Sequence, residues 1–239
     1  MTSTAKPGTA LVTGGSRGIG VAIARALVRE GVRVALVARG AEELATRKAE
    51  LGHHTVVVAG DVSDAKEVDR VVAAVRDAFG DVPDILVNNA GIFIPKPLHV
   101  LSADEFERMM QVNLVAPFFL LRAILPAWRE QGRGHLITLG SRADRTIFAD
   151  NGGYSASKFG IRAMHEALRE ETRGMGVRTT LVSPGTVDTP IWDTVTLPKD
   201  NRFPPREQML RADTVADAVV WAAMRPANVN IDELRITAS

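Results

Sequence analysis

The 239-residue chain contains no cysteine. Disulfides and thiolate metal sites are thereby excluded, and the composition fits a reducing compartment. An excess of one charge sign is also missing: 29 basic against 28 acidic residues leave a formal net charge of +1, with no run of like charges. Neither a nucleic-acid stripe nor a polybasic membrane patch is expected. The best apolar run, Leu114 to Leu125, is short for a membrane span and contains Arg122. The opening MTSTAKPGTA lacks the apolar stretch of a secretion signal. Five histidines are scattered, and His165-Glu166 does not complete an HExxH pattern, so no metal site is expected. With 46% apolar and 24% charged residues, the expectation is a cytoplasmic globular protein.

Aromatic residues make up 5% of the chain, and among them is a single tyrosine. It opens Tyr154-Ser155-Ala156-Ser157-Lys158, with Ser141 thirteen residues upstream. A helix over residues 154–173 puts Tyr154 and Lys158 one turn apart on the same face. A phenol ordinarily ionises near pH ~10, too high for proton exchange with a substrate at neutral pH. A neighbouring ammonium favours the phenolate and is expected to lower that value. A serine hydroxyl in the same pocket is suited to hydrogen-bond a carbonyl or alcohol oxygen.

From the start of the chain, Ala10-Leu11-Val12 reads as a strand that runs into Thr13-Gly14-Gly15-Ser16-Arg17-Gly18-Ile19-Gly20. Ile19, Ile23 and Leu27 then recur at helical spacing, and Gly31 ends the helix. A strand feeding a glycine turn that opens a helix brings backbone N–H groups and a partial positive charge to a pyrophosphate. Val32 to Ala38 is a second buried strand, followed by Arg39, where an NAD enzyme would usually carry an acid. Arg17 and Arg39 together suit the 2′-phosphate of NADP(H) better than a pair of hydroxyls.

Thr55 to Ala59 is the third strand, leading into Asp61-Val62, with Ser63 or Asp64 capping a helix to about Phe79. Asp61 is either an acceptor for an adenine amino group or a loop carboxylate. A fourth strand from Asp84 delivers Asn88-Asn89-Ala90-Gly91 at its C-terminal edge, where open α/β sheets bind ligands. Ser102 to Glu105 is a capping box for a long helix, disturbed near Pro117, with Asn113 one turn earlier. His135 to Leu139 is the fifth strand, followed by a loop over residues 142–153. Val177 to Val182 is the sixth, reaching Pro184, Gly185, Val187 and Thr189. Residues 190–211 read as a proline-rich loop, a helix starts at Asp213 or Thr214, and Glu233 to Thr237 forms an edge strand. The sustained strand–helix alternation points to one doubly wound α/β domain over residues 1–239, with a substrate lid at about 186–211.

Taken in order, Thr13-Gly14-x3-Gly18-Ile19-Gly20, Asp61-Val62, Asn88-Asn89-Ala90-Gly91, Asn113, Ser141, Tyr154-x3-Lys158 and Ser183-Pro184-Gly185 resemble the short-chain dehydrogenase/reductase family. The overall look is similar to its bacterial 3-oxoacyl-carrier-protein-reductase-like members. The resemblance implies a Rossmann fold with seven parallel strands in the order 3-2-1-4-5-6-7, a bound NAD(P) and a homodimer or homotetramer. It implies a catalytic set of Asn113, Ser141, Tyr154 and Lys158. Lys158 would also bind the nicotinamide ribose, and Asn113 would position a water linking Lys158 to solvent. Val187 and Thr189 match positions that contact the nicotinamide carboxamide. Many members carry a glycine-rich stretch after the last strand; here Leu234 to Ser239 stands instead, so a short closing tail is expected.

The expected activity is hydride transfer between NADP(H) and a small-molecule carbonyl or secondary alcohol. Substrate-facing candidates are Ile92, Phe93, Arg142, Ile147, Phe148 and Trp192, a mainly apolar set. Two other readings compete: a dinucleotide-binding sensor without turnover, and an epimerase or dehydratase without net redox change.

Overall fold

The computed structural model describes residues 8–193, 195 and 203–239. Seven strands form one parallel sheet: β1 (Thr9–Thr13), β2 (Arg33–Ala38), β3 (Thr55–Ala59), β4 (Ile85–Asn88), β5 (Gly134–Leu139), β6 (Val177–Pro184) and β9 (Glu233–Ile236). Their order is β3-β2-β1-β4-β5-β6-β9, which is the order the family resemblance implies. The registers are parallel throughout, for example Ala10 opposite both Val34 and Ile85. Parallel strands are covered on both faces, which explains why RVALVA and TVVVA are near-continuous apolar runs and do not alternate.

The two faces have separate cores. On one side lie α1 (Gly18–Arg29) and α7 (Ala212–Ala223), which bring Ile23, Leu27, Val215 and Val219 against Val12, Leu36 and Val87. On the other lie α3 (Ala65–Phe79) and α5 (Ala116–Gln131), which bring Val71, Val75, Leu120, Ile124 and Trp128 against Leu11, Ala35 and Leu86. Full burial of such a side chain stabilises by about 1.5–3 kcal/mol. Asp64 caps α3 by accepting from the Lys66 N–H at 2.8 Å, and Gly80 ends it in the left-handed region. The indole of Trp128 is wholly buried and donates to the Pro83 carbonyl at 2.8 Å, so its polar atom is satisfied.

The capping box is formed by Ser102 and Glu105 at the start of α4 (Ala103–Met110). Residues Gln111–Val115 are a π-turn, and α5 follows with Pro117 in its first turn. Proline has no N–H and its ring crowds the carbonyl one turn back, so the helix absorbs an extra residue there. The result is one continuous helix from Ala103 to Gln131, of 29 residues, long and apolar enough by length and composition to cross a membrane. That corrects the expectation from sequence that no segment reaches such a length. The π-turn joins two pieces that read separately, and the apolar stripe of α5 packs on the sheet.

Other boundaries differ locally. The helix α6 (Gly152–Glu171) starts ahead of Tyr154, and the loop before it contains a 3-10 turn at Arg142–Asp144. Within 190–211, turns at Pro190–Trp192 and Arg206–Gln208 flank a segment of which Thr194 and residues 196–202 lie outside the described residues. The short strands β7 (Val187–Asp188) and β8 (Leu210–Arg211) pair in parallel at its base. Because the extended backbone of Arg211 turns directly into α7, that helix begins at Ala212 without a capping side chain at Asp213 or Thr214.

Candidate active site

Along the C-terminal edge of the large sheet runs one continuous cavity of about 880 Å³. One end is built by the turn between β1 and α1. Gly14 has φ 64°, and a Cβ there would lie 2.9 Å from the Asn89 amide nitrogen and 3.0 Å from the Ala90 Cα. A side chain at Gly20 would collide with the Gly14 carbonyl. The chain can therefore turn this tightly only with glycine at both positions. The first turn of α1 has no side-chain cap and no acidic residue, so its N–H groups stay available to an anion. Gly14, Ser16, Arg17, Gly18 and Ile19 line the cavity, whereas Gly20 stands behind it and serves packing.

Asn89 has a structural task as well as a lining one. Its side chain donates to the Thr13 carbonyl at 2.8 Å, and the Thr13 hydroxyl accepts from the Asn89 and Ala90 N–H groups at 3.1 Å. The edge of β4 is thereby tied to the glycine turn.

Arg17 and Arg39 are exposed and line the same end of the cavity. Two further charged residues join them that the sequence reading missed, Glu43 and Arg108. Asp61 accepts from both the N–H and the hydroxyl of Ser63, at 3.0 and 2.6 Å. Burial disfavours its charge, but the Ser63 hydrogen bonds and the Arg39 and Arg108 charges outweigh that and hold its carboxyl below the ordinary range. Of its two sequence readings, the structure supports the loop carboxylate through Ser63 and also leaves Asp61, with Val62, on the cavity wall.

At the far end, β5 delivers Ser141 and α6 presents Tyr154 and Lys158. Ser141 and Tyr154 line this end together, with the Ser141 side chain close enough to favour the ionised phenol. The Lys158 Nζ lies 5.7 Å from the centroid of the Tyr154 ring and donates to the Leu139 carbonyl at 2.9 Å. Burial pushes the Lys158 ammonium down to about 8, and the charge of Asp144 acts in the opposite sense. Burial pushes the Tyr154 phenol up to about 12; the Ser141 side chain lowers it, and the Asp144 charge raises it. This overturns the expectation that the lysine makes the phenol acidic in the protein by itself. Loss of water from around the ring dominates, and the buried lysine is itself a reluctant cation.

Asn113 sits in the π-turn, buried behind the cavity wall. Its carbonyl oxygen accepts from the Ile92 N–H at 2.8 Å, and its amide donates to the Ile92 carbonyl and the Ser157 hydroxyl, both at 3.0 Å. A Cβ at Gly91 would lie 3.4 Å from the Asn113 Oδ1 and 4.0 Å from the Lys158 Nζ, so the bare glycine leaves room between these two groups.

The remaining wall is substrate-sized and largely aromatic. The Phe93 ring meets Tyr154 edge-on at 4.8 Å and Trp192 at 5.3 Å, and Trp192 meets Phe203 at 5.2 Å. The Arg142 guanidinium lies over the Phe148 ring at 4.7 Å. Ile92, Phe93, Arg142, Phe148 and Trp192 face the cavity; Ile147 is 72% exposed and lies outside it, which corrects its assignment to the pocket. Pro184, Gly185, Val187 and Thr189 line the cavity between the two ends. So do Thr237 to Ser239: after β9 the chain reaches the site although the glycine-rich stretch is absent.

A parallel sheet in this strand order, with a ligand-sized cleft across its C-terminal edge, defines an open α/β protein of the Rossmann type. The chain belongs to the short chain dehydrogenase family, whose model matches residues 8–200. It is 34% identical over 228 residues to an uncharacterized oxidoreductase of Staphylococcus haemolyticus, covering 95% of each chain. Among solved structures, it resembles a metagenomic short-chain oxidoreductase in complex with NADP, at 34% identity, a TM-score of 0.83 and 99% coverage of both chains. It also resembles an alcohol dehydrogenase of the archaeon Thermococcus sibiricus complexed with 5-hydroxy-NADP, at 34% identity, a TM-score of 0.86 and 95% coverage of both.

Proposed function

We propose that this protein is an NADP(H)-dependent oxidoreductase that interconverts a carbonyl compound and a secondary alcohol. The observation that carries the reading is that Ser141, Tyr154 and Lys158 line the inner end of the same cavity that begins at the Gly14 turn. Bound NADPH supplies the hydride. In the reducing direction Tyr154 gives its proton to the substrate oxygen, and Ser141 hydrogen-bonds that oxygen as negative charge develops on it. Lys158 holds positive charge beneath Tyr154 and binds the nicotinamide ribose. Asn113 fixes the Ile92 strip, and the gap at Gly91 beside it suits a water leading from Lys158.

A phenol pushed up to about 12 in the protein alone stays protonated at neutral pH but is a weaker acid, so it gives up its proton less readily. In either direction the proton transfer therefore needs positive charge at the ring, from Lys158 and the bound cofactor, to bring that value down.

The cofactor residues follow the cavity. Gly14, Ser16, Gly18 and Ile19 hold the pyrophosphate, Asp61, Val62, Ala90 and Gly91 border the adenosine half, and Pro184, Gly185, Val187 and Thr189 border the nicotinamide. Arg17 and Arg39 favour a 2′-phosphate, and Arg108 adds a third cation to that end. NADP in the complex of the metagenomic relative supports the same choice.

The substrate is a medium-sized, partly apolar carbonyl compound set against Phe93, Trp192 and Phe203; the lid expected at about 186–211 lies partly outside the described residues. Exposed Phe106, Phe118, Phe159 and Trp221 support assembly into a dimer or tetramer. The test is NADPH oxidation followed by absorbance against β-ketoesters, diketones, aromatic ketones and aldehydes. Turnover with any class supports the reading. Tight NADPH binding with no turnover across the panel would favour a silent sensor.

A further inference from the structure

Directly beneath Ser141 lies a carboxylate that the reaction scheme above does not use. Asp144 is fully buried. Its Oδ2 accepts from the Ser183 hydroxyl at 2.5 Å and from the Ser141 N–H at 3.3 Å. Its Oδ1 accepts from the Arg145 Nε at 2.7 Å, and its own N–H donates to the Ser141 carbonyl at 2.9 Å. Arg145 continues outward to the Ser183 hydroxyl at 3.4 Å and forms an ion pair with Glu233 on β9. Asp144 and Arg145 together thus join the ends of β5, β6 and β9 immediately behind the reacting groups.

The site is built to admit this carboxylate. A Cβ on Gly140 would lie 2.6 Å from the Asp144 Oδ2 and 2.8 Å from the Ser183 Oγ. A buried carboxylate is costly unless its charge is paired and its oxygens are hydrogen-bonded, and here both oxygens have partners. The charged groups around Tyr154 and Lys158 are Asp144 and Arg145 from the turn after β5, Arg142 on the outer side of that turn, and Glu233 from β9. The groups facing the pair from β5, α6 and the π-turn are uncharged: the Leu139 carbonyl, Ser141, Ser157 and Asn113.

We propose that Asp144 is a positioning residue of the reaction: it fixes Ser141 from behind and supplies the fixed negative charge that faces the Tyr154–Lys158 pair. The proposal rests on the oxidoreductase reading for its consequence in turnover. A negative charge there disfavours the phenolate and favours the ammonium: it adds to the upward push of burial on Tyr154 and opposes the downward push of burial on Lys158. It keeps the proton on Tyr154 for delivery and keeps Lys158 cationic despite its burial.

The experiment compares wild type with Asp144→Asn, an isosteric change that removes the charge and turns one acceptor oxygen into a donor. The first readout is the pH profile of NADPH oxidation with a β-ketoester. Asp144→Asn is expected to lower kcat on the order of 10- to 100-fold through loss of the Ser141 geometry. KM for NADPH should stay within about threefold, and the alkaline limb should move down by roughly one pH unit, the effect of one charge at an effective dielectric of ~20. The second readout needs no turnover. Because the chain has one tyrosine, protein carrying a labelled tyrosine Cζ gives one ring resonance, and the pH at which it begins to titrate reports on Tyr154.

That onset should fall in Asp144→Asn, measured while circular dichroism shows folded protein. An unchanged onset and an unchanged limb would overturn the proposal. Should Asp144→Asn not fold, Arg145→Gln removes the counter-charge instead and should move the alkaline limb upward; no movement would again overturn it. If wild type turns over no carbonyl while the onset still falls in Asp144→Asn, the electrostatic link stands and only the oxidoreductase reading fails.

Discussion

Lys158 reaches past the Tyr154 ring to the Leu139 carbonyl, donating to it at 2.9 Å with its Nζ 5.7 Å from the ring centroid. The ammonium is therefore held by the end of β5, the strand that also delivers Ser141. Three reacting groups are fixed by one strand end and one helix turn, a more rigid arrangement than any loop would provide.

Holding that lysine costs stability. Its folded value of about 8 lies below the ordinary lysine value of 10.5, so between these pH values the unfolded chain binds more protons. Stability is thus expected to rise with pH through that window. Lys158→Met should stabilise the protein at neutral pH on the order of 1–3 kcal/mol while abolishing turnover. Urea unfolding of both proteins at neutral and alkaline pH checks this; the gain should shrink as the pH rises through the window.

Two buried histidines set the acid limit. His135 contacts the Thr180 hydroxyl at 2.8 Å and His165 the Thr138 hydroxyl at 2.9 Å. Burial pushes His165 down to about 4 from 6.5 and takes His135 well below 6.5. Both stay neutral when folded and gain protons on unfolding, so stability is complete above about 6.5 and falls as the pH drops toward 4. The expected slope approaches about 1.4 kcal/mol per pH unit for each histidine. Replacing both by glutamine should flatten the acid limb in denaturant titrations.

Cofactor choice is tested at the cavity's cationic end. Arg39→Ala should weaken NADPH about 10- to 100-fold, the loss of a charge-assisted phosphate contact, with little change for NADH. Fluorescence titration with both nucleotides measures the ratio. Equal losses would refute the 2′-phosphate assignment.

The glycine turn gives a stability and binding prediction together. Gly14→Ala meets the Asn89 side chain and Ala90 backbone while adopting φ 64°. A destabilisation of roughly 1–3 kcal/mol and loss of NADPH binding are expected, read by thermal melts with and without NADPH.

Much of this was legible in the sequence because parallel strands bury both faces. VRVALVA and TVVVA are apolar apart from Arg33 and Thr55, and each is followed by a turn and a helical period. The π-turn at Asn113 was signalled by Pro117 one turn later. Asp144 was not legible: its partners Ser183 and Glu233 come from distant strands, and a carboxylate three residues after a serine reads as a capping acid. Arg108 and Glu43 were missed for the same reason, since only the folded cavity shows which side of α4 and α2 (Ala41–Leu51) turns inward. The acidity of Tyr154 was misjudged because YxxxK spacing reports proximity to a charge and says nothing of burial.

The central claim is that Tyr154 delivers the proton. Steady-state NADPH oxidation with the best carbonyl substrate, measured for wild type and Tyr154→Phe alongside NADPH affinity, tests it most directly. The account predicts a fall in kcat on the order of 10²- to 10⁴-fold with NADPH affinity unchanged within about threefold. A Tyr154→Phe protein that turns over at the wild-type rate would contradict it.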